Sequence, residues 1–92
     1  MIRSLLYVPG NSDKFIARAH ERDADGIILD LEDAVLPSEK AGARQRLAQS
    51  VAAVGQNGAM VFVRVNAAET GLQHDDAAAA CLAGAHGILL PK

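Results

Sequence analysis

The sequence predicts an α/β fold built on a parallel sheet, and three observations predict it. Short apolar runs recur at Leu5-Leu6-Tyr7-Val8, Gly26-Ile27-Ile28-Leu29, Met60-Val61-Phe62-Val63 and Gly87-Ile88-Leu89-Leu90. Near-continuous apolar runs of this kind suit strands buried on both faces. Between them lie stretches whose apolar residues recur at three- and four-residue spacing, so strands alternate with helices. Three of the runs also end abruptly in polar groups: Asp30-Leu31-Glu32-Asp33, Arg64-Val65-Asn66 and Pro91-Lys92. Ligands of α/β proteins bind where the carboxyl ends of parallel strands converge, so these ends predict part of an active-site rim.

Each element follows from local chemistry. Leu5 to Val8 reads as a first strand stopped by Pro9-Gly10. Asn11 or Ser12 caps a helix from about Asp13 to Arg22, with Phe15, Ile16 and Ala19 on its buried face. A second strand covers Gly26 to Leu31. Pro37 suits the first turn of a helix running to about Val54, where Ala43, Leu47, Val51 and Val54 share a face. Gly55 and Asn57-Gly58 turn the chain into a third strand. Thr70-Gly71 opens a third helix to about Ala83, and Ala85 to Leu90 forms a fourth strand. Cys81 sits on an alanine-rich stretch and reads as a small core residue.

Bulk properties exclude several classes. Half of the 92 residues are hydrophobic, but only Tyr7, Phe15 and Phe62 are aromatic, so the core must be aliphatic. A net charge of −2 with a pI near 5.8 gives no footprint for nucleic acid or an anionic membrane. No apolar run approaches the ~20 residues of a membrane span, and no signal-peptide pattern opens the chain. Cys81 stands alone, which excludes an intrachain disulfide and a thiolate metal cluster. His20, His74 and His86 lack ligand spacing and read as surface or packing residues; the glycines show no dinucleotide or P-loop pattern. A cytoplasmic location is the expectation.

Successive strand starts lie about 22 to 33 residues apart, which suits right-handed parallel crossovers. Two architectures fit, a doubly wound open sheet and a (β/α)8 barrel. Side-chain parity favours the barrel. Val61, Val63 and Val65 fall on one face and Phe62, Arg64 and Asn66 on the other. The second strand repeats the pattern, with Ile28, Asp30 and Glu32 opposite Ile27, Leu29 and Leu31. Two strands that become polar in the same direction suit a lumen opening at its mouth. A full barrel needs about 250 residues, so three βα units plus a fourth strand predict a partial TIM (β/α)8 barrel, with residues 1–92 its N-terminal segment.

Five blocks occur in order: Arg3-Ser4-Leu5-Leu6-Tyr7-Val8-Pro9-Gly10; Ile28-Leu29-Asp30-Leu31-Glu32-Asp33-Ala34-Val35; Lys40 with Ala43-Arg44; Val63-Arg64-Val65-Asn66; and Leu90-Pro91-Lys92. Together they resemble the N-terminal third of the citrate lyase β-subunit family, in the HpcH/HpaI aldolase superfamily. The resemblance implies a TIM barrel that cleaves or forms a carbon–carbon bond in a CoA thioester such as citryl-, malyl- or citramalyl-CoA, with Mg2+. The acyl carrier stays open between CoA and a carrier protein, and a homo-oligomer is the expected assembly. In that family the Mg2+ ligands are a glutamate and an aspartate on later strands, so they are expected beyond residue 92. No acid of this chain is assigned to the metal, and these residues alone are expected to lack metal-assisted activity.

The resemblance also implies roles for individual residues. Arg64 matches the family arginine that binds the substrate carboxylate or keto oxygen, a task suited to its planar fork. An ion pair with Asp30 or Glu32 is the competing account. Glu32 and Asp33 match the acidic pair at the second strand's end and are assigned to catalysis, against a capping role before Pro37. Asp30 is open between a buried hydrogen-bonding role and a site role. Asn66 and Lys92 are assigned to the substrate. Asn11, Lys14 and Arg18 lie where relatives receive the CoA nucleotide; Lys14 and Arg18, one helical turn apart, equally suit a solvated face. Two other functions stay open: a non-catalytic interaction subunit that self-associates through open strand edges, and a complete four-stranded domain binding a small anion near Pro9-Gly10 and Arg64.

Overall fold

The computed structural model describes residues 4–22, 24–32, 37–67 and 70–91. Strand β1 (Leu5–Pro9) leads through α1 (Asp13–Arg18) and a 3-10 turn at Ala19–Arg22 into β2 (Gly26–Asp30). A 3-10 turn at Pro37–Glu39 precedes α2 (Lys40–Gln45) and α3 (Leu47–Val54), followed by β3 (Met60–Arg64), α4 (Gln73–Ala83) and β4 (Gly87–Leu89). The four strands pair in parallel in the order β1-β2-β3-β4.

That order separates the two predicted architectures. A doubly wound sheet reverses its strand order at a switch point, which places helices on both faces. Here the order never reverses, and crossovers of one hand then stack every helix on the same face. Burial agrees. Val8, Ile27, Leu29, Val61 and Val63 form one core with Ile16 and Ala19, with Leu47, Val51 and Val54, and with Ala80 of α4. On the opposite face Leu5 and Tyr7 are more than half exposed. The architecture is the open, singly wound sheet of a partial TIM barrel.

Helix ends follow the expected chemistry in places. Ser12 caps α1, its Oγ accepting the Phe15 N–H at 3.4 Å. Gly84 ends α4 with a φ of +86°, a left-handed conformation that glycine adopts without strain. Gly10 answers to a close approach: its N–H donates to the Asp30 carbonyl at 2.8 Å, and a Cβ there would lie 2.9 Å from that oxygen. At the far edge His86 joins the ladder twice, its N–H donating to Val61 O and its Nδ1 accepting the Val61 N–H.

Three expectations need correction. The helix predicted from Pro37 to Val54 is divided at Arg46, whose backbone leaves helical geometry (φ −96°, ψ 4°). Its N–H is shared between the Gly42 and Ala43 carbonyls, while its guanidinium reaches Gly42 O and Asp13. Side-chain insertion into the ladder is a regular cause of such breaks. Phe15 is exposed, because Ile16 and Ala19 already occupy the inward face of this short helical stretch. Cys81 is exposed too: α4 turns Asp76 and Ala80, four residues apart, inward, and the next residue lies about 100° around the helix.

Candidate functional site

The β2–β3 register sets Asp30 opposite Arg64 at the carboxyl ends of adjacent strands. Both stand fifth in their strands, so equal strand starts bring them level. The Arg64 fork closes on the carboxylate in two parallel bonds, Nε to Oδ1 at 2.9 Å and Nη2 to Oδ2 at 2.7 Å. Asp30 is 2% exposed, and a buried carboxylate is tolerable only when paired this well. The Arg64 side chain keeps 22% of its surface exposed. Its guanidinium also lies 5.3 Å from the centroid of the Tyr7 ring, within cation–π range, on the open face of the sheet.

Glu32 joins the corner from the segment after β2. Its Oε1 is 3.8 Å from Arg64 Nε, and its N–H donates to Asp30 Oδ1 at 2.9 Å. Arg64 and Glu32 therefore share one corner, as the parity argument requires, with Asp30 as the arginine's principal partner. Asp33 and Lys92, the other assigned residues of this rim, lie outside the described residues.

Asn66 is turned the other way. The strand pattern ends at Arg64, and two residues later the Asn66 side chain is 1% exposed, directed at α4. Its Nδ2 donates to Asp76 Oδ2 at 2.6 Å, and its Oδ1 accepts from Lys40 Nζ at 2.5 Å. Asp76 takes the Asn66 N–H as well, at 3.0 Å, and Arg44 Nη1 lies 3.4 Å from its second oxygen. Sequence reasoning missed Asp76. In the run Gln73-His74-Asp75-Asp76 it reads as an ordinary solvated acid of a helical first turn, and nothing local marks its burial.

The residues assigned to the CoA nucleotide divide. Lys14 and Arg18 line a concavity of about 850 Å3 along the free edge of β1, together with Tyr7, Pro9 and Phe15. Asn11 instead donates its amide to Glu39. The α1 N-terminus is an unpromising phosphate seat, since Ser12 caps it and Asp13, paired with Arg46 at 2.7 Å, adds negative charge.

Among the described residues no three His, Cys, Asp or Glu side chains converge as a metal site would require. Asp30 directs both carboxylate oxygens at Arg64. The described acids do not fit a Mg2+ ion. Nor is any described helix long and apolar enough to cross a membrane.

Comparison with known proteins adds a family to this geometry. Residues 3–92 match the sequence model of HpcH/HpaI aldolase/citrate lyase. The chain is 40% identical over 90 residues to a (3S)-malyl-CoA thioesterase of Cereibacter sphaeroides, an alignment covering 98% of this chain and 32% of the relative. It is 36% identical to the citrate lyase subunit beta of Leuconostoc mesenteroides subsp. cremoris, covering 98% of this chain and 30% of that protein. To the mitochondrial citramalyl-CoA lyase of Homo sapiens it is 35% identical over 74 residues, 80% of this chain and 22% of the relative. The chain thus spans a third or less of the length of these relatives.

Proposed function

The chain belongs to the HpcH/HpaI aldolase/citrate lyase family, and from that premise we propose that it supplies the arginine–acid corner of a carbon–carbon lyase acting on an acyl-CoA thioester. The observation that carries this reading is the two-bond Arg64–Asp30 pair with Glu32 beside it, at the carboxyl ends of adjacent parallel strands.

Cleavage of a 3-hydroxyacyl thioester requires removal of the hydroxyl proton. The oxygen's electron pair then forms the new carbonyl as the bond between the second and third carbons breaks. The released pair becomes the enolate of the departing thioester, which takes up a proton to complete the reaction. Arg64 binds the carboxylate or keto oxygen of the 2-oxo acid through its exposed surface, held in orientation by Asp30. A guanidinium fixed in advance needs little reorganisation as charge moves. Glu32 and Asp33 handle the proton transfers, and Lys92 completes the substrate contacts, while Asn66, buried against Asp76 and Lys40, makes none. The CoA nucleotide lies along the β1 edge beside Lys14 and Arg18.

Turnover of malyl-, citramalyl- and citryl-CoA by the protein as its gene encodes it, with Mg2+ added, tests the proposal. A 2-oxo acid should accumulate in step with the shortened acyl-CoA, and Arg64→Lys should reduce kcat/KM at least about a hundredfold through loss of the two-bond geometry. The isolated 92-residue chain should be inactive. Release of free CoA with no 2-oxo acid would instead assign a thioesterase reaction, the activity named for one relative.

A second reading has its own observation. Leu5 and Tyr7 are half exposed on the uncovered face and edge of the sheet, where a second copy could pair. Light scattering that finds a monodisperse monomer would remove it.

A further inference from the structure

Lys40 opens α2 and stands outside the Asp30–Arg64 pair, yet the two segments that frame that pair meet at its ammonium. Nζ donates to Leu31 O at 3.1 Å, to Glu32 O at 2.8 Å and to Asn66 Oδ1 at 2.5 Å. An ammonium carries three protons, so these acceptors account for all of them. Two belong to the backbone from which Glu32 projects; the third lies two residues beyond Arg64. The Asn66 amide is itself oriented, because Asp76 Oδ2 accepts from its Nδ2 and from the Asn66 backbone N–H, which leaves Oδ1 facing the cation.

We infer that Lys40 is a positioning residue for the acid–arginine corner. By gathering the Leu31 and Glu32 carbonyls against the Asn66 amide, its ammonium sets the direction from which the Glu32 carboxylate meets Arg64. Asn66 and Asp76, both 1% exposed, are the fixed side of this clamp. A methionine at position 40 keeps a long flexible stem but strands all three acceptors. An arginine keeps the charge, although its planar fork cannot converge three donors on the same points. The effect on turnover rests on the lyase reading above; the structural content does not.

Two readouts on the protein as its gene encodes it separate those layers. Amide hydrogen exchange in Lys40→Met should quicken at least about tenfold at Glu32 and Asn66, while the β1–β2 ladder keeps its rates. Lys40→Arg, which retains the charge and with it the fold, should give intermediate rates at the same two amides. In an active enzyme, Lys40→Met should lower kcat roughly ten- to a hundredfold with KM for the thioester changed by less than about threefold, and Lys40→Arg should restore part of kcat. Unchanged exchange at Glu32 and Asn66, or equal acceleration throughout the ladder, overturns the inference. So does an unchanged kcat in Lys40→Met. A wild-type protein that cleaves no thioester sinks the functional reading alone, and the exchange rates still decide the role of Lys40.

Discussion

The two faces of the sheet are made by alternate residues of the same strands and have opposite characters. The helix-covered face carries Val8, Ile27, Leu29, Val61 and Val63, each at most 2% exposed. The other face carries Leu5, Tyr7, Ile28, Asp30, Phe62 and Arg64, with burial greatest on β2 and lower on β1 and β3. The first face holds the strands together; the second presents a charged pair with an aromatic neighbour. Because side-chain direction alternates along a strand, one run of five residues can serve both purposes. Stability and chemistry are thereby assigned to different residues, and substitutions should separate them.

Leu29→Ala should have the largest effect, about 4 kcal/mol by urea unfolding, because its side chain is fully enclosed between sheet and helices. The same change at Leu5, 54% exposed, should cost less than about 1 kcal/mol. A Leu5→Ala loss near that of Leu29→Ala would mean that something covers the open face in solution, and the contrast would collapse. Asp30→Ala comes next, at about 3 kcal/mol, the low end for breaking a buried pair because Arg64 retains access to water. That loss should shrink in high salt less than that of an exposed pair would.

Gly10→Ala should destabilise by roughly 2 kcal/mol, since a methyl group there meets both the Asp30 carbonyl and the Leu31 side chain at 2.9 Å. Because the strain falls on the backbone of Asp30, the Arg64 guanidinium NMR signals should shift with it; unaltered signals would detach the first loop from the charged corner. Ser12→Ala should have the smallest effect, about 0.5 kcal/mol, for a long capping bond on an exposed helix end.

Much of this architecture was legible in the sequence. The four strands follow from their apolar runs, and the helical set Ala43, Leu47, Val51 and Val54 is buried as its spacing predicts. Parity places Asp30 and Arg64 on one face; beyond the strand ends it holds for Glu32, 3.8 Å from Arg64, and fails for Asn66, which turns to Asp76. The departures at Phe15 and Cys81 share a cause: residue type suggests burial, but a helix buries only a narrow stripe, and neighbours already fill it. Asp76 went the opposite way: an acid in a polar helical turn carries no local sign that Asn66 and Arg44 will enclose it.

By itself the sequence determined the order of elements, the parallel pairing and the face on which each strand residue lies, because periodicity and chain connectivity are local properties. Only tertiary structure decided that Arg64 takes Asp30 as its main partner, and that Lys40 and Asn66 close a clamp across 26 residues of chain. Those choices depend on strand register and on distances between groups remote in sequence. Hydrogen bonds and ion pairs act over a few ångströms, a scale that only the folded arrangement defines.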